Sequence, residues 1–407
     1  MKRALIGCLK NIIRLRAGYA RSLEARHPCR FGWHPAILSL PSTPSPQPDN
    51  IFKTGFCIFS FYSLTFFFFI FSSSAFALEN TFYILHQRSA VNAKINNPGF
   101  SSLSAHYSGI NILISQAYRI RKDGTVLGFI NPEVLDFTDK HHLKLMALVT
   151  NASFDKDIAH LFLSNKQAQK EALESILLLC HKHHLYGVQF DFEGISIKDK
   201  KALTLFFKQA YEDLHREGFI VSFAVVPATS DKTTASDFLK RQYENWSGAY
   251  DLAALAEHSD FITLMAYDQH TKGTTPGPSA NQSWLEATVK YALRYLPPEK
   301  ISLGIPTYSN YWYIRNRSAG KITVNLDAIS HQQALRILNK FHAHPQWDEI
   351  NKVNYAIYQR DWLNEYLFIE NARSFHAKRE LAKQYHLRGV SVFSLGNEDP
   401  EIWTGVL

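Results

Sequence analysis

The sequence predicts an α/β protein built as a closed (β/α)8 TIM barrel with a small subdomain inserted after strand seven, and three observations lead there. Past residue 77, eight short apolar, β-branched runs alternate with longer segments whose apolar residues recur at helical spacing. No low-complexity linker and no repeat of solenoid length interrupts them. The remaining length of about 330 residues suits one such barrel with insertions.

The runs cover residues 82–85, 110–115, 143–150, 187–193, 220–226, 261–267, 301–308 and 389–395. Strands separated by helices pair in parallel, because each crossover returns the chain to the same end of the sheet. Leu173, Ile176, Leu177 and Cys180 fall at i, i+3, i+4, i+7, as do Leu203, Phe206, Phe207 and Ala210, giving each helix one core-facing stripe. Gly218 stands where a helix C-terminal glycine belongs, and Ser374 is the expected N-cap of the last helix. The stretch before that helix is too long for a simple loop. It holds a helical segment at 331–341 and strand-like pieces at 355–358 and 366–370, and is expected to form an insertion spanning about 309–370.

The first 77 residues read differently. Residues 54–78 carry no charge, Lys53 precedes them, and Ser72, Ser73, Ser74, Ala75, Phe76 and Ala77 close the apolar stretch with a small-x-small pattern. That pattern predicts a secretory signal peptide at 51–77, cleaved after Ala77, and hence a secreted or periplasmic protein. An uncleaved membrane anchor is the alternative. Residues 1–50, basic and rich in Pro and Ser near their end, resemble no folded unit and read as an extension or an over-extended start.

This division accounts for the charge. The chain has a formal net charge of +8, but nine of its 44 Lys/Arg and two of its 36 Asp/Glu lie in residues 1–77, leaving 35 basic and 34 acidic residues beyond. A nearly neutral remainder is not the composition of a nucleic-acid-binding protein. Three of the four cysteines also precede residue 78, so residues 78–407 hold Cys180 alone and can form no internal disulfide. The domain then rests on core packing, and a monomer is expected.

The chemistry concentrates on the fourth strand, which runs Gly187, Val188, Gln189, Phe190, Asp191, Phe192, Glu193. Alternation along a strand puts Gln189, Asp191 and Glu193 on one face and the apolar residues on the other. In a parallel barrel the apolar face meets the helices, so the polar face points inward. Asp191 and Glu193 then stand about 7 Å apart along the strand, at the end where barrel active sites lie. A salt-bridged pair stabilising the barrel mouth is the non-catalytic alternative, but the strand supplies no cation.

The segment resembles the signature of glycoside hydrolase family 18, the chitinase-like enzymes, whose fourth strand carries Asp-Gly-x-Asp-x-Asp-x-Glu. Gly187, Asp191 and Glu193 match it, while Tyr186 and Gln189 stand where the family has Asp. Met265, Ala266, Tyr267 and Asp268 match a second motif on strand six, and the resemblance runs through Gly304–Pro306 and Arg388–Val390 over about residues 80–407. Its nearest flavour is the bacterial branch of spore-cortex and peptidoglycan N-acetylglucosaminidases.

The resemblance implies a substrate-assisted, retaining glycosidase acting on polymers that contain N-acetylglucosamine. It implies Glu193 as general acid and base, Asp191 and Tyr267 as the groups around the 2-acetamido function, and Asp268 as a sugar contact. Gln189 enters the substrate site by position. Phe393 stands where the family commonly has Trp, and Trp312 is a candidate stacking residue at the mouth. No cofactor is implied, and His181, His183 and His184 have no carboxylate or Cys at ligand spacing. Asn151, Asn245, Asn281 and Asn316 each precede Ser by two positions, the pattern of a glycan acceptor in a eukaryotic secretory host. A non-catalytic carbohydrate-binding protein on the same barrel is the rival reading.

Overall fold

The computed structural model describes residues 77–85, 97–231, 236–316 and 323–405, so residues 1–50 and all but the last residue of the expected leader lie outside the described residues. Strands β1 (Glu79–Ile84), β2 (Ile112–Ile120), β3 (Val126–Gly128), β4 (Lys144–Asn151), β5 (Gly187–Asp191), β6 (Ile220–Val225), β7 (Phe261–Leu264) and β8 (Ile301–Pro306) come first. Between them lie helices α1 (Pro98–His106), α2 (Pro132–Lys140), α3 (Lys156–Leu163), α4 (Lys166–Lys182), α5 (Lys200–Arg216), α6 (Asp237–Gln242), α7 (Leu252–Glu257) and α8 (Gln282–Ala292). The insertion contributes β9 (Ser309–Asn316), β10 (Thr323–Ile329), α9 (His331–Phe341), β11 (Gln346–Asp348), β12 (Val353–Arg360) and β13 (Leu363–Ile369). Helix α10 (Ala372–Gln384) and strand β14 (Gly389–Phe393) close the fold.

The helix starts follow local chemistry. Asn97, Asn131, Asp155, Asn165, Asp251, Asn281, Ser330 and Asn371 each accept a hydrogen bond from an N–H of the first turn. The last of these corrects the sequence reading: Asn371 is the N-cap of α10, and Ser374 occupies the third helical position, returning a bond to Asn371 N–H in a capping box. Gly218 follows α5 with φ of 86°, a left-handed turn that glycine adopts without a Cβ penalty.

Eight parallel strands form the barrel in the order β1-β14-β8-β7-β6-β5-β4-β2, and a further β1–β2 pairing closes it. β3, which no apolar run marks in the sequence, folds back antiparallel along the end of β2. The side chains sort by alternation. Outward residues such as Phe82, Val149, Phe190, Phe223, Ile262 and Val390 join the helix stripes in the main core. Inward residues Ile112, Ile114, Met146, Leu148 and Phe261 pack with Tyr83 inside the barrel.

After β8 the chain builds a five-stranded antiparallel sheet, ordered β10-β9-β13-β12-β11. Ala334 and Leu338 of α9 pack on Ala356, Leu367 and Ile369. Asp361 and Trp362, both left-handed, form the two-residue turn that joins β12 to β13. A buried ion pair ties this insertion to the barrel: Lys378 Nζ of α10 lies 2.6 Å from Glu370 Oε2, which also accepts from Ser374 Oγ at 2.7 Å.

Candidate active site

The site begins with the aromatic packing behind β5. Phe190 and Phe192 are buried among Phe206 and Phe207 of α5, with Phe223 of β6 beyond Phe190. That outward anchor leaves the alternate positions facing inward. Asp191, the last residue of β5, pairs with Thr150 and Ala224 on its neighbours, and Glu193 follows just past the strand end. Their exposures are only 7% and 8%, so two carboxylates are held largely out of water at the C-terminal mouth of the barrel.

Gln189 lies one inward position below Asp191 and is fully buried. Tyr83 Oη donates to its Oε1 at 2.5 Å, and its Nε2 donates to Ser222 Oγ at 2.8 Å and Thr263 Oγ1 at 3.1 Å. Thr263 in turn bonds Ser391, which bonds Ser302. The amide therefore knits a polar belt across the barrel beneath the carboxylates. This corrects its expected place among the sugar contacts, because no part of Gln189 reaches the surface.

β7 ends at Leu264, short of the strand expected through Tyr267. Two tight bonds, Ala266 N–H to Leu264 O and Tyr267 N–H to Met265 O, both 2.7 Å, then turn the chain. They bring the Tyr267 ring against Phe393, with centroids 5.4 Å apart and planes at 24°. Tyr83 and Tyr308 flank Phe393 at 5.5 and 6.4 Å. Burial, first of all, raises the Tyr267 hydroxyl well above its usual pKa, and the nearby Tyr83, Asp191, Tyr308 and Glu193 add to the shift. Burial does the same to Tyr83. Both hydroxyls stay protonated and remain donors.

Asp268 has left-handed φ of 60°; its N–H donates to Ser279 Oγ at 3.1 Å, and its carboxylate accepts from Tyr308 Oη. No motif marks Tyr308, Tyr83 or Ser279 in the sequence, although Tyr308 and Tyr83 lie in the seventh and first apolar runs. Two further residues hold the backbone around Glu193: Asn151, at the end of β4, and Tyr250, whose Oη donates to Phe192 O at 2.6 Å.

Trp312 does not face the mouth. It is 1% exposed, and its Nε1 donates to Gly277 O at 2.9 Å, so the ring packs between β9 and the loop after β7. A stacking role for it is corrected on that ground. Tyr311 and Tyr313 bond Glu365 and Asp327 of the insertion sheet. Among the described residues no group of three His, Cys, Asp or Glu side chains is arranged to hold a metal ion.

With this geometry in hand, comparison with known proteins is decisive: the pattern of glycosyl hydrolases family 18 matches residues 106–398. The chain belongs to that family. This family 18 glycoside hydrolase is 26% identical over 313 residues to the uncharacterized glycosylase YvbX of Bacillus subtilis, covering 75% of this chain and 87% of that protein. It is also 26% identical over 291 residues to the cortical fragment-lytic enzyme of Bacillus subtilis, covering 70% of this chain and 65% of that protein. The fold matches the spore cortex-lytic enzyme SleL of Bacillus megaterium QM B1551 with a TM-score of 0.70 at 22% identity, over 82% and 74% of the two chains. It matches a chitinase from Chromobacterium violaceum ATCC 12472 with a TM-score of 0.69 at 24% identity, over 81% and 98%.

Proposed function

We propose that this glycosidase cleaves β-1,4 linkages of N-acetylglucosamine-containing glycans (chitin, chitooligosaccharides or peptidoglycan) with retention of configuration. Glu193 donates its proton to the glycosidic oxygen as the bond to the anomeric carbon breaks. The carbonyl oxygen of the substrate's own 2-acetamido group attacks that carbon, forming a cyclic oxazolinium, while Asp191 stabilises the positive charge and Tyr267 Oη donates to the acetamido oxygen. Glu193, now a carboxylate, takes a proton from water, whose oxygen opens the ring. Phe393 offers the sugar an apolar face and Asp268 a polar contact beyond it.

The observation that carries this reading is the pair of nearly buried carboxylates, Asp191 and Glu193, at the mouth of the barrel, with the Tyr267 hydroxyl near enough to feel both charges. The relatives named for lysis of cortical fragments support a wall-type glycan, and the chitinase neighbour shares the fold. Export through the leader at 51–77 belongs to the same proposal, as does action as a monomer.

The test is anomer-resolved NMR of chitotetraose and of peptidoglycan strands during hydrolysis. Initial release of the β-anomer is expected, with little reaction when the sugar preceding the cleaved bond bears a free 2-amino group. Initial α-anomer, or equal cleavage of the deacetylated glycan, rejects the mechanism. Binding without turnover favours the carbohydrate-binding rival.

A further inference from the structure

The ladder between β4 and β5 pairs Thr150 with Asp191 and stops there. Beyond it the main chain of β4 leaves through the turn at 152–154, where Ser153 and Phe154 both have left-handed φ, 60° and 50°. Two successive non-glycine residues in that region are costly and persist only when their surroundings impose them. The departure would orphan the next backbone N–H and C=O on the β5 side, which belong to Glu193. A buried group left so forfeits the hydrogen bond it would make to water.

The side chain of Asn151 takes over. Its Oδ1 accepts from Glu193 N–H at 2.9 Å and its Nδ2 donates to Glu193 O at 2.9 Å. A carboxamide carries one acceptor and one donor group side by side, as a peptide does, so the ladder continues for one more rung without the main chain. On the other side Tyr250 Oη holds Phe192 O, and Gly194 follows with φ of 69° against Phe154 O. Three backbone groups bracketing the Glu193 Cα are thereby held, which sets the direction in which its carboxyl leaves the chain. Asn151 is only 2% exposed, and both its amide atoms are occupied. Its acceptor pattern for glycosylation is therefore incidental.

We propose that Asn151 is the positioning residue of the general acid, acting as a surrogate peptide that fixes Glu193, with Tyr250 as its partner on the preceding carbonyl. The inference rests on the role given to Glu193 above. Misplacement of an acid by about 1 Å costs on the order of 10²-fold in rate. Because Asn151 touches backbone rather than carboxyl or sugar, its loss lowers kcat and leaves KM nearly unchanged.

The test uses the full chain and 4-nitrophenyl β-chitobioside. Asn151→Ala is expected to lower kcat about 10–100-fold, with KM within about twofold and pH limbs unshifted. Asn151→Asp loses the donor and sets a carboxylate against Glu193 O. Its kcat relative to wild type should rise as pH falls, because the protonated acid regains a donor. Tyr250→Phe removes one hydroxyl and keeps the ring, so it reports on the clamp should the Asn151 variants fold poorly; a several-fold loss of kcat is expected. Amide exchange at 192–194 should quicken in all three. Wild-type kcat in every folded variant, KM changes alone, or unchanged exchange overturns the proposal. Wild-type protein that cleaves no acetylated glycan overturns the role of Glu193 instead, and the exchange measurement still reads the clamp.

Discussion

Glu193 is tightly constrained: it is nearly buried, follows the last residue of β5 by two, and has its backbone held on both sides. Glu193→Gln keeps the size and most contacts of the side chain but removes the titrating proton. Turnover should fall about 10²–10⁴-fold, with chitotetraose affinity and melting temperature nearly unchanged in calorimetry; near-normal turnover would move the acid elsewhere. Tyr267 supplies a pH prediction whose sign follows from its environment. Its raised pKa means that the neutral hydroxyl persists where an exposed tyrosine, ionising near about 10, would not. Below pH 10 the alkaline limb of kcat in Tyr267→Phe should therefore coincide with that of wild type, whatever the change in amplitude. A limb seen only in wild type would show that this hydroxyl ionises in the working range.

At the scale of elements, the turn after β5 is decided by contacts between strand ends. Gly194 is left-handed, and a Cβ built there would stand 2.5 Å from Phe154 O. Gly194→Ala should cost at least about 1–2 kcal/mol from the backbone conformation alone, with a further loss of kcat as the Glu193 peptide shifts. Urea denaturation and kinetics on the same preparation check both, and a fully stable, fully active variant would deny that the turn is specified. Asp191 and Glu193 are legible in the sequence because period-2 alternation is local. The apolar run through Tyr267 reads as one strand, because nothing local reports that the ladder of β7 ends at Leu264 and the chain then turns by two-residue bonds.

For the whole molecule, the junction between the insertion and the last helix holds the buried pair of Glu370 and Lys378. Lys378→Met removes the cation and leaves a buried carboxylate, so stability should fall by about 3–5 kcal/mol. Adding Glu370→Gln should recover much of that loss in equilibrium denaturation. If the single variant is as stable as wild type, the pair contributes nothing at the junction.

Sequence alone determined the class of fold, the eight barrel strands, the helix stripes and the two carboxylates. Each of these rests on short-range periodicity, which a chain carries whatever it packs against. The same periodicity could not separate the polar residues of the barrel interior. Gln189 and Asp191 alternate identically, yet one is sealed under a belt of hydroxyls and the other meets the mouth, because depth along the barrel axis is set by how neighbouring strands are staggered. Trp312 reads as a mouth aromatic until the sheet of β9 lays its indole on Gly277. Asn151, 42 positions from Glu193, carries no local mark of its task. Only tertiary structure decides such pairings, since a hydrogen bond between distant residues depends on where two strands end side by side.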